Sequence, residues 1–281
     1  MSEAVLRHAA FGDAPAITDR ALTAATTPRS QWLAAVLLGA RGRYAAATTL
    51  LQPLIRGRDP LSAALAGATF ASHRRQLGGH AAALPFDGAA LARAAVATGD
   101  ADEDGLDPAG ALADAFLGLA ADNLALGRFG AAQRLLEQAL SPRAGWRAEV
   151  RTCWVTAELS LARGLAGDAV LPAKRAVGLS RQRGAARHLV KSQLVLAAAL
   201  AATGDPGARQ RAGALVGSAL DAADNWELRS LTWPARLLAA DLDPATAEWN
   251  RSRVTRELHA LLPAADPTGK RLAFRSPWVP I

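Results

Sequence analysis

Glycine recurs in this chain at intervals that fit a repeated pair of helices. The glycines that follow alanine-rich apolar segments are Gly42, Gly78, Gly127, Gly164 and Gly204. They lie roughly one repeat apart, close to the ~34 residues of a stacked helix pair, with one wide gap after Gly78. Alanine is the commonest residue and has the highest helix propensity, whereas the strand formers Ile, Tyr and Phe are scarce. The pattern therefore predicts an all-α protein in which helix packs on helix.

The clearest unit covers residues 116–139. A large and a small residue on the first helix, a turn glycine, an aromatic residue and an Ala–large–Ala stripe on the second helix follow in order: Phe116, Ala120, Gly127, Phe129, Ala132, Leu136 and Ala139. This order resembles the tetratricopeptide-repeat (TPR) consensus. Small residues let the two helices approach closely, and the glycine ends the first helix in a left-handed conformation.

Weaker copies of the pattern surround Trp32, Ala71, Trp154 and Leu194, so the resemblance covers most of residues 28–220. It implies a right-handed α-solenoid of stacked antiparallel helix pairs, which is a TPR-like superhelix. The alternative fold is a generic alanine-rich helical bundle.

The expected organisation places caps at both ends of the repeats. Pro267, Pro277 and Pro280 argue against a regular helix near the C-terminus. The expected units are an N-terminal helical cap (1–27), repeats 1 and 2 (28–98), an acidic loop insert (99–108), repeats 3 to 5 (109–222), a C-terminal helix pair (223–262) and an irregular tail (263–281).

The acidic insert explains the wide gap in the glycine spacing. Its alternating carboxylates, from Asp100 to Asp104, match the opening of a calcium-binding loop. The twelfth position, however, is Ala111, where such a loop has a bidentate Glu. Asp107 followed by Pro108 is instead typical of a helix N-cap with proline at the first helical position. A solvated linker is therefore the favoured interpretation, with calcium binding as the alternative.

The sequence favours a reducing cytoplasm as the compartment. No signal peptide is visible at the N-terminus, and the longest apolar stretches are shorter than the ~20 residues that span a bilayer. The single cysteine, Cys153, excludes an internal disulfide, and its position predicts a small buried apolar residue. Arginine far outnumbers lysine, which together with the alanine excess indicates a high-GC bacterial coding sequence.

No catalytic motif is recognisable, and we expect neither an enzyme nor a cofactor. The Thr268-Gly269-Lys270 segment lacks the first glycine and the preceding strand of a phosphate-binding loop. His73 and His80 straddle a predicted turn, but no third metal ligand accompanies them. The sequence therefore predicts no metal site, and solvated or capping roles for the histidines: His8, His73, His80, His188 and His259.

Basic residues carry the strongest functional signal. The net charge is +7 and the isoelectric point about 10.8, so we expect an acidic partner. Two rows have the four-residue spacing that places side chains on one helix face: Arg143, Arg147 and Arg151, then Arg183, Arg187 and Lys191.

Aligning the repeats by their turn glycines places Arg147 opposite Arg187, and Arg151 opposite Lys191. Arg29 takes the equivalent place in the first repeat, whereas Leu65 and Asp114 interrupt the row.

The resemblance assigns these positions to a binding groove. In TPR proteins, first-helix residues line the concave face, and in some members basic residues there clamp a partner's terminal carboxylate. It therefore implies Arg29, Arg151 and Lys191 as groove residues, with Arg147 and Arg187 one turn nearer the rim. The alternative is that these are ordinary solvated residues. The Asn residues of such a clamp have no match here, since the nearby Asn123 lies out of register.

A second basic patch contains Arg251, Arg253 and Arg256 beside Trp249. Basic and aromatic side chains together suit single-stranded nucleic acid. We expect most of the tryptophans, including Trp32 and Trp154, to lie in the core instead. Membrane-surface binding is the least favoured interpretation, because the stack already requires the apolar faces.

The leading functional hypothesis is a non-enzymatic scaffold or adaptor that binds an acidic peptide or protein in a basic concave groove. The alternative is a nucleic-acid-associated accessory protein, either RNA-binding or linked to transcription.

Overall fold

A computed structural model of the chain describes residues 2–13, 17–140 and 144–281. These residues are 78% helical and contain no strand. None of their helices is both long and apolar enough to cross a membrane. The α-helices, numbered in chain order, are α1 Glu3–Phe11, α2 Asp19–Thr23, α3 Pro28–Ala40, α4 Tyr44–Ile55, α5 Pro60–Gln76, α6 His80–Ala94, α7 Pro108–Ala125, α8 Phe129–Ala139, α9 Gly145–Ala162, α10 Ala166–Gln182, α11 Ala186–Ala202, α12 Pro206–Asn225, α13 Arg229–Leu242, α14 Ala247–Leu261 and α15 Pro267–Arg275.

Proline and a preceding polar residue begin five of these helices. The proline occupies the first helical turn, where its missing N–H removes no intrahelical bond. The residue before it accepts hydrogen bonds from the free N–H groups of that turn. The capping residues of α3, α5, α7, α12 and α15 are Thr27, Asp59, Asp107, Asp205 and Asp266. The N-cap predicted at Asp107 is therefore confirmed.

The predicted turn glycines are also confirmed. Gly42, Gly78, Gly127, Gly164 and Gly204 all have φ between 72° and 76°, in the left-handed region that favours glycine. Each follows the first helix of a pair. Gly184, with φ of 61°, makes a further turn between α10 and α11.

The small positions of the repeat pattern are fully buried between the packed helices. A residue larger than alanine would not fit where two helix backbones approach each other. The alanines with no exposed surface at these positions are Ala35, Ala47, Ala71, Ala83, Ala120, Ala132, Ala157, Ala169, Ala173, Ala197, Ala212 and Ala219. Sequential helix packing thus follows from the alanine stripe, because each pair can bury this face only against its neighbours.

The C-terminal segment is not the irregular tail that its prolines predict. Helix α15 occupies Pro267–Arg275. Oδ1 of Asp266 accepts hydrogen bonds from the backbone N–H groups of Thr268 and Gly269, both at 3.1 Å. Pro267 therefore begins this helix and does not break it, as is common at the first helical position.

The two ends of the helical array meet. Helix α1 packs on α3 and on α11, while α13 also contacts α3. The backbone N–H of Ala186 donates to the carbonyl of Gly12 at 3.0 Å. Arg74 of α5 forms an ion pair with Asp266 at 2.8 Å, and the Ser276 hydroxyl donates to the Gly78 carbonyl at 3.3 Å. The array therefore closes around a central space.

Candidate binding cavity

The helices of the array line a cavity of about 830 Å³ that is open to solvent on part of its surface. Its walls come almost entirely from the first helix of each pair, which are α3, α5, α7, α9, α11 and α13. Phe11 of α1 and, from the C-terminal segment, Trp278 and Val279 also line it. The cavity is within the size range of small-ligand sites in proteins, ~300–1,000 Å³.

Four of the predicted groove residues line this cavity: Arg147 and Arg151 of α9, and Arg187 and Lys191 of α11. We refer to these four residues as the basic cluster. Arg29 does not join them, because its guanidinium donates to the Leu106 carbonyl at 3.2 Å outside the cavity. Arg143 lies outside the described residues.

Asp114 of α7 binds two members of the basic cluster. Its Oδ2 accepts from Arg147 at 2.9 Å, and its Oδ1 accepts from Arg151. Burial alone would raise the pKa of Asp114, but Arg151 and Arg147 outweigh this effect and hold the pKa below its ordinary value. Asp114 is one of the two residues, with Leu65, that interrupt the basic row in the sequence. Asp114 of α7 is thus the counter-ion of the two arginines on α9.

Arg187 lacks such a counter-ion. Its Nε is buried without a hydrogen-bond partner, and no described carboxylate lies within ion-pair distance of its guanidinium. Burial, followed by repulsion from Arg147 and Arg151, lowers the pKa of Arg187 to about 10. The guanidinium is still charged at neutral pH, so the cavity wall carries an uncompensated cation.

Lys191 and Glu158 line a part of the cavity that is accessible to solvent. Their side chains are 36% and 31% exposed and form an ion pair at 2.9 Å. The Lys191 ammonium also lies 5.6 Å from the centre of the Trp154 ring. Because this pair is accessible, it contributes little to stability and can exchange partners readily.

An aromatic wall surrounds His188 beside the basic cluster. The imidazole stacks on Trp154 with ring centres 5.6 Å apart, and meets the edge of Trp146 at 4.9 Å. Arg147 lies over the ring of Phe11 at 4.7 Å. Burial, together with Arg187 and Arg147, holds the pKa of His188 well below its ordinary value. His188 is therefore a neutral, buried residue, and the expected solvated or capping role is wrong for it.

The acidic insert is a packed segment and not a solvated linker. Asp102 and Asp104 accept hydrogen bonds from Arg7 of α1 at 2.9 and 3.0 Å. Asp104 also accepts from Trp146 Nε1 at 2.9 Å, and its backbone carbonyl accepts from Arg147 at 2.8 Å. The insert and α1 thus cover Arg147, which is buried and does not lie near the rim as predicted.

These contacts weigh against calcium binding by the acidic insert, because the carboxylates of Asp102 and Asp104 already accept hydrogen bonds from Arg7. Within the described ranges, no group of three or more His, Cys, Asp or Glu side chains has the arrangement of a metal site.

The structure contains a second buried charge cluster, which the sequence did not predict. Arg75 of α5 donates to Asp87 of α6 and to Asp122 of α7, and both carboxylates are fully buried. Burial raises the pKa of Asp87 to about 7; Arg75 opposes this shift and Asp122 adds to it. Arg74 and Arg75 both turn inward, so these two neighbouring basic residues do not form a surface patch.

Three further residues considered in the sequence analysis lie in the core. Cys153 is buried with a free thiol, as expected, and Trp32 lies in the core. His73 is buried too, contrary to the solvated or capping role expected, and desolvation lowers its pKa to about 3.

The second basic patch lies on α14, outside the cavity. Arg251 and Arg256 are exposed, and Arg253 lies over the half-exposed Trp249 ring at 5.8 Å. Arg236 lies 5.4 Å from the centre of the same ring.

No protein-family model matches the chain, and no curated protein is significantly similar to it in sequence.

Proposed function

We propose that the chain is a TPR-like, right-handed α-solenoid of antiparallel helix pairs that acts in the bacterial cytoplasm as a scaffold or adaptor. In this proposal it binds an acidic peptide or protein segment in the central cavity and catalyses no reaction. The observation that carries the proposal is the uncompensated charge of Arg187 within the basic cluster.

Arg187 carries an energetic cost in the free protein. The Arg187 side chain keeps part of its surface exposed, but its Nε is buried without a hydrogen-bond partner, which destabilises the folded protein by about 1–3 kcal/mol. Arg187 sits beside two further arginines that share one carboxylate. An acidic group entering from the solvent side, past Lys191, would supply the missing counter-ion. Partner binding would then offset a penalty that the free protein carries.

The size of the cavity limits what can enter. At about 830 Å³ it can hold one or two acidic side chains with their flanking backbone. A nucleic-acid duplex is much wider. The half-exposed Trp249 with Arg251, Arg253 and Arg256 instead favours single-stranded nucleic acid as a second candidate partner, on the outer face of α14.

The test compares binding of labelled short peptides rich in Asp and Glu with binding of the same peptides carrying Asn and Gln. Fluorescence anisotropy is measured with the wild type, with Arg187→Gln and with Arg256→Gln, the last being an exposed arginine outside the cavity. We expect acidic peptides to bind, and affinity to fall about tenfold or more in Arg187→Gln alone, because a charge-assisted hydrogen bond contributes ~1.5–3 kcal/mol.

A labelled single-stranded RNA is measured in parallel. RNA binding that falls steeply with salt and is lost in Arg256→Gln, without binding of acidic peptides, would favour the second candidate. Equal affinity of the acidic and amide peptides would overturn the proposal.

A further inference from the structure

We propose that the group recognised by the basic cluster is a dianionic phosphoryl group, so that the preferred partner carries a phosphate monoester and not only Asp or Glu. This inference rests on the proposed function, because it assigns the chemical class of the anion that the cavity receives.

The basic cluster carries more positive charge than its two neighbouring carboxylates neutralise. Four cationic side chains, Arg147, Arg151, Arg187 and Lys191, face two carboxylates, Asp114 and Glu158. Two positive charges are therefore uncompensated on one wall. A phosphate monoester carries roughly −1.5 to −2 charges at neutral pH, whereas a single carboxylate carries one. Two separate carboxylates brought to the same wall would repel each other.

The basic cluster also has hydrogen-bond donors that no described residue uses. Arg187 has five N–H groups, and none of them has a hydrogen-bond partner among the described residues. Arg151, which also lines the cavity, uses one terminal nitrogen for Asp114, and no described residue accepts from its other terminal nitrogen. Planar guanidinium groups bind phosphate oxygens in pairs, and three oxygens of one phosphoryl group can accept from both arginines.

The remaining side chains hold this arrangement in place without competing for the ligand. Arg147 directs both terminal nitrogens to protein oxygens, so it contributes charge and fixes Asp114. Asp114 in turn orients Arg151. The neutral, buried His188 imidazole and the Trp154 ring form an uncharged aromatic wall, beside which electrostatic attraction is stronger than in water.

Two sources can supply this chemistry: a phosphorylated side chain of a protein partner, or a free phosphate ester. The test is isothermal titration of the full chain with three probes: a short peptide with one phosphoserine, the same peptide with Glu at that position, and inorganic phosphate. Each probe is titrated into the wild type, Arg187→Gln, Lys191→Gln and the outer-face control Arg256→Gln.

We expect the phosphoserine peptide to bind at least about tenfold more tightly than the Glu peptide, because the dianion makes more charge-assisted bonds. Arg187→Gln and Lys191→Gln should each reduce this preference, and Arg256→Gln should leave it unchanged. Lys191 is accessible to solvent, so its variant remains informative even if Arg187→Gln unfolds.

A pH series supplies a second readout. The second pKa of a phosphate monoester is about 6, so phosphopeptide affinity should fall as the pH decreases through that value. The Glu peptide should not respond there, because its carboxyl group titrates near ~4.3.

The outcomes separate the two proposals. Phosphate binding as tightly as the phosphopeptide would support the phosphoryl site and identify a small ester as the source. Equal binding of the phosphoserine and Glu peptides would overturn the phosphoryl inference while the acidic-partner proposal stands. Absence of binding by all three probes, together with no binding of the acidic peptides above, would overturn both.

Discussion

Arg74 and Asp266, 192 residues apart in the chain, form a two-point ion pair with N–O distances of 2.8 and 3.1 Å. The Arg74 side chain is only 8% exposed. The same Asp266 carboxylate caps helix α15. One side chain thus both starts the last helix and attaches it to the second repeat.

This double role predicts that two substitutions of Asp266 differ in a defined way. Asp266→Ala should reduce the free energy of unfolding by about 3 kcal/mol or more, because it leaves a buried arginine unpaired and removes a helix cap. Asp266→Asn keeps a capping oxygen, so it should be less damaging by about 1 kcal/mol. Urea unfolding of both variants measures the difference. Wild-type stability in both would show that this contact does not hold α15 on the array.

Removing Arg187 should stabilise the protein in the absence of ligand. Arg187→Gln eliminates an unpaired cation, so we expect the free energy of unfolding to rise by about 1 kcal/mol. Arg147→Gln is the matched control on the same wall. It should reduce stability by about 2 kcal/mol or more, since it breaks the contacts with Asp114 and Asp104. Equal destabilisation by both substitutions would indicate that Arg187 has a structural partner after all.

Two glycines should respond in opposite directions to alanine. A Cβ at Gly39 would lie 2.0 Å from Nε2 of the buried His73, so Gly39→Ala should reduce stability by about 1–3 kcal/mol. Gly217, inside helix α12, has open space around its Cα. Gly217→Ala should raise stability by about 0.5–1 kcal/mol through helix propensity. Thermal unfolding at one pH tests both. A stabilised Gly39→Ala variant would mean that the His73 ring can move aside.

The buried carboxylate Asp87 predicts a pH dependence of stability. Its pKa in the folded state is about 7, against ~3.9 in an unfolded chain. Between these values the folded state binds a proton that the unfolded state has lost, so this group's contribution to stability decreases as the pH rises from about 4 to 7. Asp87→Asn removes this contribution. The stability of the variant relative to wild type should therefore increase with pH across that window.

The matched control for this series is Asp221→Asn, at an exposed position on α12. His73 and His188 act in the opposite direction, since their lowered pKa values destabilise the fold as the pH falls below ~6.5. That contribution is common to all three proteins and cancels in the comparison. A constant difference between wild type and Asp87→Asn over the pH range would contradict the assignment.

Local patterns predicted the local structure well. The left-handed conformation of Gly127 and the buried alanines of its repeat follow from contacts within one helix pair. The closure of the array could not be predicted, because it depends on contacts such as Arg74–Asp266 between segments with no shared pattern. The N-cap role of Asp266 was visible in principle, since an Asp before Pro267 is the same signal that identified Asp107.

In the candidate site, too, the sequence predicted what depends on the repeat pattern and missed what depends on contacts outside it. Repeat alignment brought Arg147, Arg151, Arg187 and Lys191 together because they occupy equivalent places on α9 and α11. It could not show which of them are buried, since the groups that cover Arg147 come from α1 and the acidic insert. Asp114 carried a usable signal. An acidic residue in an otherwise basic row is a candidate counter-ion.

The contact between the two ends of the array also limits how this protein can change in length. An open stack of helix pairs can gain or lose one pair, because each pair touches only its neighbours. Here one extra pair would separate α1 from α11 and α5 from Asp266 in a single step. Variants of this chain should therefore differ in length within their turns and loops, while the number of helix pairs remains the same.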